Sequence, residues 1–176
     1  GLEVFDAIFH IAGQSSGEIS FEDPVYDINA NTVSSILLLE FAAKTNCRRF
    51  IFASTMSVYG DIDEGIASED LPACPKSFYA VGKLATEHYL KVFANTRNIN
   101  FSALRYFNVY GPGQNLENMK QGMASIFLTQ LFSDKTPSLV IKGSLDRFRD
   151  FIFIDDVVDI TVRCLNAPEA HNKIIN

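Results

Sequence analysis

The sequence predicts an α/β protein built on a doubly wound parallel sheet. Short apolar segments suited to buried strands alternate with longer segments whose apolar residues recur at helical spacing, as expected for parallel strands joined by crossover helices. Polar residues follow the strand segments in "IAGQSS", "STMS" and "YFNVYG". Because ligands of such sheets bind beyond the carboxyl ends of the strands, we expect the functional site at that edge.

The first half of the chain supplies two of these strand–helix pairs. Gly13 closes the first predicted strand, the second strand runs into a loop at Ser54, and Ser77 is a suitable N-cap for a long helix. In order, the segments are the strand FDAIFHIAG, the helix NANTVSSILLLEFAAKT, the strand RRFIFASTMSVYG and the helix SFYAVGKLATEHYLKVFANTRN.

The second half continues the alternation. Gly111, Pro112 and Gly113 stop a third strand, and Pro168 follows the end of the last helix. The segments are the strand INFSALRYFNVYGPG, the helix GMASIFLTQLFSD, the strand SLVIKG, the strand–helix pair RDFIFIDDVVDITVRCLNAPE and the unfinished strand HNKIIN. The chain opens on a strand without a starting Met, so we expect both ends to be cut from something longer.

Composition and charge limit the class of protein. The 176 residues carry a net charge of −6, which does not favour binding to nucleic acid or to an anionic membrane. No apolar segment is long enough to span a membrane. Three widely spaced cysteines, Cys47, Cys74 and Cys164, indicate reduced thiols of a cytoplasmic protein and neither a disulfide framework nor a metal site.

Tyr79 and Lys83 are the first candidates for chemistry. Four residues apart on the predicted helix, they share one face. A neighbouring ammonium is expected to lower the pKa of the phenol, which then exchanges a proton with a hydroxyl group. The plainer interpretation is a surface pair. The order of strand, hydroxyl-rich loop and Pro-x-Ser-x-Tyr-x-x-x-Lys favours the chemical one, and the loop offers three hydroxyls, on Ser54, Thr55 and Ser57.

Five blocks of sequence carry a resemblance to a known family. They are FHIAGQSS, FASTMSVYG, PKSFYAVGK, LRYFNVYGPGQ and RDFIFIDDV. In this order and spacing they resemble the extended short-chain dehydrogenase/reductase family, in particular its NAD-dependent sugar-nucleotide epimerases and dehydratases of the UDP-glucose 4-epimerase type. The resemblance implies a Rossmann-like fold, with residues 1–112 forming the later part of the NAD-binding domain. It implies that residues 113–176 hold the start of the smaller sugar-nucleotide-binding part and a returning strand and helix.

The resemblance also implies roles for individual residues. Tyr79 is the general acid/base, Lys83 is its partner and also holds the nicotinamide ribose, and Thr55 takes the place of the catalytic Ser or Thr. The residues implied to lie along NAD are Ile11, Ala12, Gly13, Asn31 and Tyr106, together with Tyr79 and Lys83. The residues implied to bind the sugar nucleotide are Thr55, Asn108 and Arg149, with Arg149 placed at the diphosphate.

Several of these residues also have a purely structural interpretation. His10 on its apolar strand is expected to be a packed core histidine. Asn31 is equally suited to a helix start, Ser54 to a turn, and Arg149 to an ion pair with a nearby aspartate.

The residues after Thr55 bear on the reaction. Dehydratases of this family carry an Asp-Glu pair there, whereas this chain has Met56 and Ser57, so epimerisation through a keto-sugar is favoured over 4,6-dehydration. A dehydratase or a reductase of the same family is the alternative. The glycine-rich NAD turn of the family is not among these residues, so a truncated, non-catalytic protein is a further alternative. The family dimer implies a homodimer through the predicted helices 29–46 and 77–97.

Overall fold

The computed structural model describes residues 5–62, 65–120, 122–132, 139–141, 144–145 and 148–176. These residues divide into two units, one formed by residues 1–106 and 160–176 and the other by residues 107–159. The two units are described separately below. The candidate residues near Tyr79 all belong to the first unit.

Strands and helices alternate as the sequence predicts. The strands are β1 (Ala7–His10), β2 (Arg49–Thr55), β3 (Asn100–Tyr106), β4 (Asn108–Tyr110), β5 (Phe151–Phe153) and β6 (Lys173–Ile175). The helices are α1 (Gly17–Glu22), α2 (Pro24–Ile28), α3 (Ser34–Thr45), α4 (Phe78–Arg97), α5 (Met123–Leu131) and α6 (Ile154–Asn166). A π-helical turn (Asn29–Val33) joins α2 to α3, and short 3₁₀ helices cover Met56–Tyr59 and Pro168–Ala170.

The first unit contains a four-stranded parallel sheet in the order β1-β2-β3-β6. His10 is in register with Phe52, and Thr55 is in register with Tyr106. The carboxyl ends of β1, β2 and β3 therefore lie at one edge of the sheet, which confirms the parallel arrangement that the alternation predicts.

Alternate residues of β2 serve opposite faces of the sheet, as the pleat of a strand requires. Phe50 and Phe52 join a core cluster on one face, whereas Ile51 joins a cluster on the other face. The first cluster includes Leu39 of α3 and Leu90 of α4. All seven residues of β2 are buried, so this strand is the centre of the unit.

The long helix α4 begins where the sequence places its cap. The hydroxyl oxygen of Ser77 accepts a hydrogen bond of 3.2 Å from the backbone N–H of Ala80, satisfying one of the donors left free at a helix start. The helix ends at Asn98, whose left-handed backbone (φ 54°) closes it. Tyr79 and Lys83 consequently lie in the first two turns of a well-defined helix.

The second unit corrects one prediction. The segment 99–113 is not a single strand, because β3 ends at Tyr106 and β4 starts at Asn108 in a separate two-stranded sheet with β5. β4 and β5 are parallel, with Val109 opposite Ile152. Half of the predicted strand SLVIKG lies outside the described residues, and its described half, residues 139–141, contains no strand.

No helix in the described part of the chain is long and apolar enough to cross a membrane.

Candidate active site

Tyr79 and Thr55 meet at the carboxyl end of β2. Thr55 is the last residue of the strand, and its Oγ1 accepts a hydrogen bond of 3.1 Å from the backbone N–H of Ser57. Tyr79 lies in the first turn of α4, and the side chain of Thr55 is close enough to act on the pKa of its phenol. Both side chains are buried. Of the three loop hydroxyls that the sequence offers, the structure thus brings that of Thr55 to the phenol of Tyr79.

Lys83 lies one turn further along α4 and is also buried. Its Nζ donates a hydrogen bond of 2.9 Å to the carbonyl oxygen of Ala53. The same nitrogen lies over two aromatic rings, 4.8 Å from the centroid of Phe52 and 5.8 Å from the centroid of Tyr79. Burial lowers the pKa of Lys83 from its ordinary value to about 8, and the charge of Asp27 opposes this shift.

The prediction that Tyr79 has a lowered pKa is wrong for this structure. Burial raises the pKa of the phenol above its ordinary value of 10.0, and the charge of Asp27 raises it further. The hydrogen bond from Thr55 acts in the opposite direction without reversing the shift. The physical reason is that burial disfavours the phenolate, whereas the ammonium of Lys83 is directed at the Ala53 carbonyl and the ring faces.

Asn31 occupies the π-helical turn between α2 and α3. Such turns are rare and often occur at functional sites. The side chain is 1% exposed, and its Oδ1 has no hydrogen-bond partner in the described part of the chain. An unpartnered buried acceptor is costly, and a role as a helix-start residue, which the sequence also allows, does not account for it.

Gly13 lies directly against this acceptor. Its φ is +150°, and a Cβ at this position would stand 2.5 Å from Asn31 Oδ1. The loop residues Ile11, Ala12 and Gly13 follow β1 and are exposed. Together they form an open edge of the site, at the carboxyl end of the strand where ligands of parallel sheets bind.

The sequence analysis did not identify two further buried residues, Gln14 and Asp27. Asp27 Oδ1 accepts hydrogen bonds from Gln14 Nε2 at 2.6 Å and from Asn31 Nδ2 at 3.1 Å. Burial raises the pKa of this carboxyl above its ordinary value, against the opposing effects of both hydrogen bonds and of Lys83. The spacing of four residues between Asp27 and Asn31 was the one available signal, since such residues share a helix face.

Ser54 does not belong to the hydroxyl pair near Tyr79. Its Oγ donates a hydrogen bond of 2.6 Å to Glu87 Oε1. Glu87 also forms a buried ion pair with Arg105, through Nε at 2.9 Å and a terminal nitrogen at 2.7 Å. Ser54 therefore contributes to the structure, as its structural interpretation predicts. Its hydroxyl, however, belongs to a buried hydrogen-bond network and does not stabilise a turn.

His10 is a packed core residue, as its apolar strand predicts. Its Nε2 lies 2.8 Å from the hydroxyl of Ser35, and its ring lies between those of Phe50 and Phe52. Burial lowers its pKa to about 4, so the imidazole is neutral at physiological pH.

The remaining predicted residues lie elsewhere. Tyr106, at the end of β3, is half-buried, and its hydroxyl is 2.7 Å from Thr161 Oγ1. The second unit contains Asn108, whose side-chain amide donates to the Asp150 carbonyl at 2.7 Å. It also contains Arg149, which donates to the carbonyl of Phe148 at 3.0 Å. The roles proposed for these three residues stay predictions, and Arg147 lies outside the described residues.

Among the described residues, no group of three or more His, Cys, Asp or Glu side chains is arranged to hold a metal ion.

Comparison with known sequences identifies relatives along the whole chain. Residues 2–176 match the NAD dependent epimerase/dehydratase family. A UDP-glucose 4-epimerase of Mycolicibacterium smegmatis is 38% identical over 159 residues, which are 90% of this chain and 50% of that protein. A dTDP-4-dehydro-6-deoxyglucose reductase of Escherichia coli is 31% identical and covers 96% of this chain, which in turn covers 52% of that reductase.

Comparison with solved structures gives the same result. The crystal structure of a UDP-glucose 4-epimerase of Thermotoga maritima with UDP-glucose superposes with a TM-score of 0.87 at 32% identity. The match covers 96% of this chain and 54% of that one. The chain therefore has the fold of these enzymes and spans about half the length of the relatives that it matches.

Proposed function

The chain belongs to the NAD-dependent epimerase/dehydratase family, and on that premise we propose that its protein epimerises a nucleotide-diphosphate sugar through a keto-sugar intermediate. The observation that carries the proposal is the buried group of Tyr79, Thr55 and Lys83 at the carboxyl end of β2. The comparisons support the family, whose members include epimerases and reductases of sugar nucleotides.

The residues around Asn31 suit NAD as the cofactor. The Oδ1 of Asn31 is a buried acceptor without a partner among the described residues, and a ligand hydroxyl would supply the missing donor. Gly13 leaves space at this acceptor that a Cβ would fill. We assign Ile11, Ala12, Gly13, Asn31 and Tyr106 to the cofactor, with Tyr79 and Lys83 beside it. NAD supplies the acceptor and donor of a hydride when it is bound.

Tyr79 is proposed to move the proton. As the sugar alcohol is oxidised, the phenolate takes the hydroxyl proton, and as the keto-sugar is reduced, the phenol returns that proton to the carbonyl oxygen. Burial favours the protonated form of the phenol, which is the form needed for the return step. Thr55 acts on the phenol at close range and supplies a second hydroxyl at the same sugar oxygen.

Lys83 is proposed to hold a positive charge in this site. Its hydrogen bond to Ala53 keeps Nζ at the strand end, and a cation there favours the phenolate and binds ribose hydroxyls. Asn108 and Arg149 are proposed to bind the sugar nucleotide, because the planar guanidinium of an arginine matches phosphate oxygens in bidentate geometry.

Epimerisation is preferred over 4,6-dehydration because Met56 and Ser57 follow Thr55, so neither of these two residues supplies a carboxylate for elimination. Reduction is the second candidate, since one relative is a reductase. The two differ in the fate of the cofactor, because an epimerase regenerates NAD in each cycle whereas a reductase consumes one reduced cofactor per product.

We also propose a homodimer and a cytoplasmic location. Large apolar side chains of the predicted helices 29–46 and 77–97 are exposed, among them Leu37 at 65% and Val92 at 55%, and a second copy would cover them. All three cysteines are free, as is common in a reducing compartment. Sedimentation of the protein and of its Leu37→Glu variant tests the dimer, which the variant is expected to dissociate.

The decisive experiment measures cofactor and turnover in the same preparation. The protein is denatured, the released NAD(H) is quantified, and UDP-, GDP- and dTDP-linked sugars are assayed for epimers and for net oxidation of NADH. Tyr79→Phe should retain bound NAD and lose turnover by a factor of at least about 100. Val81→Ala, on the exposed side of the same helix, is the matched control. Undiminished turnover in Tyr79→Phe would contradict the acid/base role, and net NADH consumption would favour the reductase.

A further inference from the structure

Asp27 is a buried carboxyl that the proposed mechanism does not use. It lies in α2, and its side chain is 1% exposed. Carboxyl groups are seldom buried so completely unless they are ion-paired or hydrogen-bonded. The contacts of Asp27 lead to residues of the candidate active site.

One contact joins Asp27 to the loop after β1. Gln14 is held at both ends of its amide, since Nε2 donates to the carbonyl of Ser16 at 2.7 Å and Oε1 accepts from the backbone N–H of Ser16. The same Nε2 donates to Asp27 Oδ1 at 2.6 Å. Asp27 therefore receives a donor whose orientation is already determined by the loop.

The other contact sets the orientation of Asn31. Its Nδ2 donates to Asp27 Oδ1, and this directs the other end of the carboxamide, Oδ1, toward Gly13. A rotated amide would place its oxygen against the carboxylate, which repels it. The hydrogen bond from Asn31 to Asp27 thus explains why the buried Oδ1, with no partner in the described part of the chain, remains directed at the open edge of the site.

The carboxyl also lies close to α4. A Cβ added to Gly82 would be 3.7 Å from Asp27 Oδ2 and 3.0 Å from Thr32 Oγ1, so α2 approaches the helix at the residue before Lys83. The charge of Asp27 acts on both Lys83 and Tyr79. Burial and the charge of Lys83 both lower the pKa of His10 on β1, and His10 is neutral above this pKa of about 4. Among the described residues, Asp27 is therefore the anion that acts on both of these side chains.

We propose that Asp27 is a positioning residue of the active site, which orients the carboxamide of Asn31 through one oxygen and supplies the negative counter-charge for Lys83. The role of Asn31 and Lys83 in catalysis rests on the proposed function. The position and charge of Asp27 do not, so they are testable in the absence of turnover.

The test is Asp27→Asn, which keeps the shape of the side chain and removes its charge. The titration of Tyr79 is followed by phenolate absorbance, with Tyr79→Phe subtracting the other five tyrosines. Removing the anion stabilises the phenolate, so the midpoint should move to lower pH. Glu18→Gln removes the same charge from an exposed position on α1 and should leave the midpoint unchanged. A folded Asp27→Asn variant with the midpoint of the unaltered protein would overturn the proposal.

Turnover adds a second readout where it is present. Removal of the anion lowers the pKa of both Tyr79 and Lys83, so both limbs of the pH profile should move to lower pH in Asp27→Asn. A purely structural role would reduce kcat at all pH values and leave the limbs in place. Failure of the proposed function would appear instead as unchanged turnover in Tyr79→Phe, which is a different result.

A measurement on the unaltered protein covers a variant that does not fold. The side-chain amide signal of Asn31 in a ¹H–¹⁵N spectrum, assigned with Asn31→Asp, should shift as Asp27 gains its proton. Because the pKa of Asp27 is raised, that shift should lie above the pH range of an ordinary aspartate. An Asn31 amide signal that does not respond to acidification would overturn the proposal.

Discussion

The Nζ of Lys83 donates a hydrogen bond of 2.9 Å to the carbonyl oxygen of Ala53, two residues before Thr55. This bond ties the helix that carries Tyr79 to the strand that ends in Thr55. A carbonyl accepts such a bond from an ammonium or from a neutral amine, so the link persists when the lysine loses its proton. The positive charge is lost at the same step. Deprotonation of Lys83 therefore removes its electrostatic role and leaves its structural role intact.

Turnover should therefore decline above a pH of about 8. Burial lowers the pKa of Lys83 to about 8. The side chain is therefore cationic below this pH and neutral above it, whereas an ordinary lysine with its pKa of 10.5 stays cationic to higher pH. A profile of kcat against pH measures the alkaline limb. Lys83→Arg, whose guanidinium stays charged throughout, should lose that limb even if its kcat is lower. An alkaline limb at the same pH in Lys83→Arg would contradict the assignment.

The buried ion pair between Glu87 and Arg105 should be essential to the stability of the first unit. Both side chains are almost fully buried, and Ser54 also donates to Glu87. Glu87→Gln leaves the arginine buried without its charge partner, which we expect to cost about 3–5 kcal/mol in the free energy of unfolding.

Denaturant titration measures this cost against a matched control. Lys76→Gln breaks the exposed ion pair with Asp61, and exposed pairs contribute only about 0–1 kcal/mol. Comparable losses in the two variants would show that burial of the Glu87–Arg105 pair has no special effect.

The sequence could predict the elements whose patterns are local. β2 and α4 are both predicted because a short apolar run and a capped helical stripe are properties of consecutive residues. Thr55 and Tyr79 could be assigned to one site because the order of strand, hydroxyl-rich loop and Tyr-x-x-x-Lys helix resembles that of a known family. The break between β3 and β4 was missed because apolar residues continue through Phe107, and only the pairing of β4 with β5 reveals it.

The parts of the site that could not be predicted depend on tertiary contacts. Gln14 and Asp27 are thirteen residues apart, and no sequence spacing indicates that their side chains meet. The direction of the Tyr79 pKa shift was also out of reach, because a sequence shows the neighbouring Lys83 but not the burial that outweighs it. The burial of a side chain and the direction in which a buried donor points both depend on the tertiary structure.

Gly13→Ala should disturb the site more than it disturbs the fold. A Cβ at Gly13 would stand 2.5 Å from Asn31 Oδ1 and would sit on a backbone with φ of +150°, at a cost of about 1–3 kcal/mol. The amide of Asn31 must move to relieve the clash, so we expect NAD affinity to fall at least tenfold, as measured by calorimetry. Gly65→Ala is the matched control, because Gly65 also has a positive φ but no atom within 4 Å of an added Cβ. Equal losses of NAD affinity in the two variants would attribute the effect to backbone strain alone.

Arg149→Ala should weaken the sugar nucleotide far more than NAD. The side chain of Arg149 is half-buried, and one guanidinium nitrogen donates to the carbonyl of Phe148. A guanidinium carries five N–H donors, so a phosphate can bind through others. We expect Kd for a nucleoside-diphosphate sugar to rise by about tenfold or more, since a charged hydrogen bond contributes about 1.5–3 kcal/mol. Calorimetry with each ligand separates the two affinities.

Arg149→Lys keeps the charge but loses the bidentate geometry, so its Kd should lie between those of the arginine and alanine forms. Equal losses of affinity for NAD and for the sugar nucleotide in Arg149→Ala would contradict the assignment. A contact with the diphosphate of the sugar nucleotide alone affects only that ligand.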